Sequence, residues 1–180
     1  YSILTKDYTF KKENIKLLNN PDKKTIISEL DKLANKCTKN DNLLVFFAGH
    51  GYWDEKFKQG YWLPKDAKQG MRGTWISNST IRDYMNGIES KHSLLITDAC
   101  FGGGIFKSRA AFSNNSNAVS ELYKIPSKKA MTSGALKEVP DKSVFLKYLA
   151  HSLKENNNKY LPSEELFYKF KTAVINNSPN

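Results

Sequence analysis

Cysteine is scarce in this sequence. The 180 residues include two cysteines, Cys37 and Cys100, which cannot build a disulfide framework. Unpaired cysteines are typical of a reducing compartment, so we expect a cytoplasmic protein. Each cysteine is then either a small core residue or a reactive nucleophile.

Long apolar runs and secretion signals are also missing. No segment approaches the roughly 18 consecutive apolar residues that a transmembrane helix needs. The first residues, Tyr1 to Asp7, lack the charged and apolar regions of a signal peptide. We therefore expect no association with a membrane.

Arginine is rare although the chain is basic. Lysine and arginine outnumber aspartate and glutamate by 28 to 18, a net charge of +10, yet the only arginines are Arg72, Arg82 and Arg109. Arginine is the usual reader of phosphates and guanine edges, and the lysines are scattered without a nucleic-acid-binding motif. The sequence therefore predicts no specific nucleic-acid partner.

The sequence does contain enough apolar surface for one folded domain. Apolar residues make up 39% of the chain, which excludes intrinsic disorder. Two continuous apolar runs, 43–48 and 94–97, predict strands that are buried on both faces, as in a parallel sheet. Further strands are predicted at 8–10, 15–18 and 129–132, with a hairpin from 52–53 and 60–63.

Helical periodicity alternates with these strands. Four segments carry apolar residues at helical spacing. Capping residues predict the starts of three of them at Asn20–Pro21, at Asn78 or Ser79 and at Ser163, and the fourth helix is predicted over Ser143 to Lys154. Cys37 lies on the apolar face of the first helix, which favours a core role for this cysteine. Alternating strands and helices predict an α/β fold around a mostly parallel sheet.

Each of the two apolar strands leads into a reactive side chain. The first is followed by Gly49, His50 and Gly51, and the second by Asp98, Ala99 and Cys100. Ligands of open α/β sheets bind beyond the carboxyl ends of the strands, where a histidine and a cysteine can lie side by side. Histidine can then generate the thiolate and protonate a leaving amine, while the amides of Gly51 and Cys100 can stabilise an oxyanion.

These two blocks resemble the caspase-like cysteine peptidases, the group of caspases, metacaspases and paracaspases, and most closely the bacterial caspase-family domains. The resemblance rests on LLVFFAGHG at 43–51 and LLITDACFGG at 94–103. His50 and Cys100 are 50 residues apart in the chain, as in caspases. The segments 129–134 and 142–145 resemble the later strand and helix of the family, so the likeness covers nearly the whole chain. It implies a three-layer sandwich with helices on both faces of the sheet.

The resemblance implies roles for individual residues. Cys100 matches the nucleophile, His50 the base and Gly51 an amide donor of the oxyanion hole. Caspases have glutamine two residues before the nucleophile, whereas metacaspases and paracaspases have aspartate there, at the floor of a pocket for arginine or lysine. Asp98 occupies this position and implies cleavage after basic residues. The alternative is that Asp98 caps the end of its strand.

A second wall of this pocket is implied near the end of the third strand. Ser133, Glu138 and Asp141 fall in the corresponding region of the family, and Asp141 is the preferred acidic candidate. No cofactor is implied, and neither zinc-ligand spacing nor an EF-hand loop is present.

The family pattern also divides the chain. Residues 1–103 resemble the large subunit and 129–180 the small subunit of a single peptidase domain, with 104–128 as a surface loop. The loop carries basic residues that an acidic pocket would accept, which predicts self-cleavage there: Lys107, Arg109, Lys124 and Lys128. Family domains usually begin with a strand that is missing here, so we expect a fragment of a longer protein, with a fused or associated sensor domain.

Other polar and aromatic residues have simpler interpretations. Asp54 and Glu55 are expected to form a solvated hairpin tip. Trp53, Trp62 and Trp75, with Tyr61, either line a substrate groove or pack within the fold.

Two functions are compatible with this sequence. The first is a cysteine endopeptidase that cleaves proteins or peptides after arginine or lysine through a thioester acyl-enzyme. The second is a catalytically silent caspase-like scaffold. The intact pair of His50 and Cys100 favours the enzyme.

Overall fold

The strands of this protein form two small sheets in a computed structural model that describes residues 1–99, 123–133 and 143–177. The strands are β1 (Asn42–Ala48), β2 (Gly51–Asp54), β3 (Gln59–Trp62), β4 (Ile76–Ser77), β5 (His92–Asp98) and β6 (Ser127–Thr132). The α-helices are α1 (Ser2–Lys6), α2 (Lys23–Lys36), α3 (Asn78–Gly87), α4 (Val144–Lys154) and α5 (Ser163–Asn177), with 3-10 turns at Lys12–Asn14 and Arg72–Thr74.

The first sheet is parallel and has the strand order β1-β5-β6. Its register places Ala48 beside Asp98 and Thr97 beside Thr132, so the carboxyl ends of the three strands lie at one edge. The second sheet is antiparallel, with β2 and β3 as a hairpin and β4 along β3. The predicted parallel pairing of the two apolar runs and the predicted hairpin are both confirmed.

Strand β5 is more deeply buried than its neighbour β1. Leu95 and Ile96 of β5 are almost fully buried, in agreement with the prediction. On β1, however, the side chain of Phe46 is 42% exposed and Ala48 is also exposed. The prediction of burial on both faces is therefore wrong for β1, because the described part of the chain leaves these two side chains uncovered.

Helices α2 and α3 contribute to the core together with β1, β3 and β5. The buried cluster contains Ile26 and Leu30 from α2 and Ile81 and Met85 from α3, and Cys37 packs against it as expected. The starts of both helices differ from the prediction. Each begins after the side chain that accepts a hydrogen bond from a first-turn amide: Asp22 from Thr25 N–H, and Ser77 from Thr80 N–H.

Two compact units make up the chain, residues 20–141 and residues 1–19 with 142–180. In the second unit, α4 confirms the helix predicted over 143–154, with Ser143 as its capping residue, and Phe145 packs edge-on against Phe170 of α5. The predicted strands at 8–10 and 15–18 are wrong. A 3-10 turn at Lys12–Asn14 separates the two segments, and the hydroxyl of Tyr8 donates to the carbonyl of Leu153.

The predicted loop ends earlier than expected. Strand β6 begins at Ser127, and the Lys128 ammonium donates to the carbonyls of Asn86 and Ile88, so Lys128 is a strand residue. Lys107 and Arg109 lie outside the described residues. No helix in the described ranges combines the length and the apolar character that crossing a bilayer requires.

Candidate active site

His50 lies where the chain passes from the parallel sheet to the antiparallel sheet. On one side, the amide of Gly49 donates to the carbonyl of Asp98 at 3.2 Å, which ties the end of β1 to the end of β5. On the other side, the amide of Leu63 donates to the carbonyl of His50 at 3.0 Å and continues the β2–β3 ladder by one residue. The His50 backbone is thus held from both sheets, while its side chain remains exposed.

Two stacked aromatic rings lie next to the segment 49–51, where the chain passes from one sheet to the other. The ring of Phe47 lies parallel to that of Trp62, with centroids 3.9 Å apart and planes at 9°. Trp62 is buried and is the register partner of Gly51, the residue that follows His50. The stack therefore restrains the position of β2 relative to β1, and with it the position of the segment 49–51 that joins them.

Gly49 is confined by the same stack. A Cβ atom at this position would lie 3.0 Å from the ring carbon Cζ of Phe47. Because Phe47 rests against Trp62, its ring cannot move away without disturbing the stack. A side chain at position 49 is therefore disfavoured by this close approach rather than by backbone conformation.

Asp98 is brought to the same edge of the sheet. Asp98 is 3% exposed and occupies the last position of β5, where it lies beside Ala48 of β1. Ser133 follows β6 at this edge, and its amide donates to the carbonyl of Thr97 at 2.9 Å. The structure thus places four predicted site residues together, namely His50, Gly51, Asp98 and Ser133. Cys100, Glu138 and Asp141 lie outside the described residues.

A buried carboxylate in the β2–β3 hairpin, paired with the more exposed Arg72, was not predicted from the sequence. Asp54 is 2% exposed, so the prediction of a solvated tip is wrong for this residue, although Glu55 is exposed. One carboxylate oxygen of Asp54 accepts from the amides of Lys56 and Phe57, and the other accepts from the Arg72 side chain at 2.5 and 2.6 Å. The rarity of arginine in this lysine-rich chain was the available signal, because a planar fork suits a buried carboxylate better than an ammonium group.

The ionisation of Asp54 follows from these contacts. Burial opposes the charged form, but the amide of Phe57 and the Arg72 guanidinium outweigh it and hold the pKa of Asp54 below its ordinary value of 3.8. A carboxyl with a lowered pKa stabilises the fold above its ordinary pKa, and this contribution is lost as the pH falls through the lowered value.

Cys37 and the hairpin aromatics have structural roles. Burial raises the pKa of the Cys37 thiol, with the nearby Asp41 carboxylate adding to the effect. This cysteine therefore stays protonated and is a poor nucleophile. Trp62 and Trp75 are buried, which favours packing over an open groove. Across the described ranges, no three histidine, cysteine or acidic side chains are grouped so that they could hold a metal ion.

We expect Gly49→Ala to lower the free energy of unfolding by about 1–3 kcal/mol, the usual cost of overpacking. The physical reason is the clash with Phe47, whose ring is held against Trp62. Urea unfolding measures this loss. Gly73→Ala is the matched control, since nothing lies within 4 Å of a Cβ atom at that position. Equal stabilities of the two variants would contradict the confinement of Gly49.

We expect Asp54→Asn to destabilise the protein at neutral pH, because it replaces the buried carboxylate that pairs with Arg72 by a neutral amide. The difference in unfolding free energy between wild type and variant should shrink as the pH falls below 3.8 towards the lowered pKa. Urea unfolding from about pH 7 to about pH 3 tests this. Glu55→Gln, a change at an exposed neighbour, should have a much smaller effect at neutral pH. A pH-independent difference for Asp54→Asn would contradict the assignment.

Comparison with known proteins identifies the family of this chain. A search of the curated proteins finds no match to the chain. A model of the caspase domain family, however, matches residues 1–178, nearly the full length. The parallel sheet with its helices is the expected α/β caspase-like architecture. This chain therefore belongs to the caspase domain family of cysteine peptidases.

Proposed function

We propose that this domain is a cysteine endopeptidase that cleaves proteins after lysine or arginine, with Cys100 as nucleophile and His50 as base. The observation that carries the proposal is the register of β1 and β5. Ala48 lies beside Asp98, and in the sequence each is followed two positions later by a reactive residue, His50 after Ala48 and Cys100 after Asp98. The hydrogen bond from Gly49 to Asp98 supports this alignment beyond the last paired residues.

The chemistry then proceeds in two steps. The imidazole of His50 takes the thiol proton of Cys100, and the thiolate attacks the scissile carbonyl to form a tetrahedral oxyanion. Amides of Gly51 and Cys100 stabilise this oxyanion. His50 protonates the departing amine, a thioester remains, and a water molecule activated by the same histidine hydrolyses it. The exposure of His50 is compatible with approach of a protein substrate.

Asp98 supplies the preference for basic residues in this proposal. Its carboxylate is buried at the carboxyl end of β5, close to the segment that carries His50. A buried carboxylate favours a cation within reach and disfavours a second carboxylate. Ser133 and Asp141 are proposed as further contacts of the substrate, Ser133 from the end of β6.

We expect Cys100→Ala and His50→Ala each to reduce peptide cleavage at least about a thousandfold, because nucleophile and base act as a unit. Cleavage of a lysyl peptide, followed by liquid chromatography, is the measurement. Cys37→Ala is the matched control and should retain wild-type rates, since its thiol is kept protonated by burial.

An irreversible lysyl or arginyl electrophile separates the peptidase from a catalytically silent scaffold. Covalent labelling of wild type, and none of Cys100→Ala, is expected by intact mass. A Cys100→Ala variant that keeps a tenth of the wild-type rate would refute the nucleophile assignment.

We expect Asp98→Asn to reduce kcat/KM for arginyl substrates strongly while leaving the fold intact. A site built to pair a charge rejects an uncharged isostere by roughly ten-thousandfold. The ratio of kcat/KM for matched arginyl and citrullyl peptides measures this discrimination, which should collapse in Asp98→Asn. Asp54→Asn, the other buried aspartate, should leave the ratio unchanged. Comparable wild-type rates after aspartate and after arginine would exclude the acidic pocket.

A further inference from the structure

The face of the β2–β3 hairpin that carries Tyr52 and Tyr61 lies next to His50. The hydrogen bond from Leu63 to the His50 carbonyl extends the ladder in which Tyr52 pairs with Tyr61. Alternate residues of a strand point to the same face, so His50 and Tyr52 share one face of this sheet, about 7 Å apart along the strand. Both side chains are accessible, and that of Tyr52 is 44% exposed.

Tyr52 is held in place by an aromatic floor. Trp75 is 8% exposed and lies against the rings of Tyr52 and Tyr61, at centroid distances of 5.1 and 5.4 Å. The indole N–H of Trp75 donates to the carbonyl of Lys68 at 2.9 Å, which fixes the floor itself. An exposed ring that is already immobilised loses little conformational entropy when it binds a ligand.

The charges beyond Tyr52 indicate what this surface can accept. Asp54 is the next residue on the same face, and its carboxylate is fully engaged by Arg72 and by two amides. The Arg72 guanidinium in turn lies 4.5 Å from the ring centroid of Phe57. The two charges neutralise each other, so the surface next to His50 suits an apolar or aromatic side chain.

The position of Tyr52 relative to His50 identifies the part of the substrate that reaches it. In the proposed reaction, His50 protonates the amine of the residue that follows the scissile bond. An extended chain advances about 3.3–3.6 Å per residue. The first two residues after the scissile bond therefore span the distance from His50 to Tyr52.

We propose that Tyr52, supported by Trp75, forms a subsite for an apolar or aromatic side chain on the leaving-group side of the scissile bond. This inference rests on the proposed peptidase function and adds a second determinant of specificity, on the opposite side of the bond from Asp98. Contact between two aromatic rings favours phenylalanine over glycine by roughly fivefold at a partly exposed site.

Internally quenched peptides test this subsite directly. The peptides share one acyl part that ends in lysine and carry phenylalanine, leucine or glycine in the two positions after it. We expect wild type and Tyr52→Phe to prefer phenylalanine over glycine by roughly fivefold in kcat/KM, and Tyr52→Ala to show less than about a twofold preference. Phe57→Ala removes an exposed ring further along the same hairpin and should keep the preference.

A peptidyl-lysine methyl ester serves as the control substrate, because its leaving group is only methanol. Tyr52→Ala should hydrolyse the ester at the wild-type rate, which separates a subsite from a structural role. Should Tyr52→Ala fail to fold, Tyr52→Val gives the same comparison with a residue suited to strands.

The outcomes distinguish the subsite from the peptidase proposal. Loss of the phenylalanine preference with unchanged ester hydrolysis supports the subsite. An unchanged preference in Tyr52→Ala, no preference in wild type, or a parallel loss of ester hydrolysis overturns the subsite while the peptidase proposal stands. A wild-type protein that cleaves neither peptide nor ester overturns both.

Discussion

Two main-chain hydrogen bonds around His50 hold the crossing on which the candidate site depends. The amide of Gly49 is tied to β5 through the carbonyl of Asp98, and the carbonyl of His50 is tied to Leu63 beyond β3. These bonds use the backbone alone, so they fix the position of the histidine while its ring stays free to act on a substrate. The stack of Phe47 on Trp62 holds the two sheets together next to His50.

The parallel register turns this local crossing into a site. A one-residue slip between β1 and β5 would reverse which face each side chain occupies. The hydrogen bond from Gly49 to the carbonyl of Asp98 opposes such a slip at the ends of the two strands. The alignment of Ala48 with Asp98 is thus held by the backbone, and the proposed chemistry depends on that alignment.

The hairpin after His50 combines a rigid base with an exposed edge. Asp54 organises its turn from inside through two amides and Arg72, while Tyr52 remains accessible over Trp75. The ion pair of Asp54 with Arg72 at the far end and the contact of Tyr52 with Trp75 near His50 restrict the motion of the hairpin. Substrate specificity in the proposed enzyme would therefore come from two places, the buried Asp98 carboxylate and the face that carries Tyr52.

The sequence by itself determined the parallel strands, the hairpin, the apolar face of α2 and the family, because each depends on the spacing of neighbouring residues. It also named His50, Gly51, Asp98 and Ser133, which the structure places at one sheet edge. Only the tertiary structure decided that Phe46 of β1 is exposed, that Asp54 is buried and that Tyr52 lies over Trp75. Asp54 is buried because Arg72, 18 residues away in the chain, folds over its carboxylate. The local sequence pattern around Asp54 does not indicate this contact, because the packing of the folded chain brings Arg72 to it and their spacing in the sequence does not.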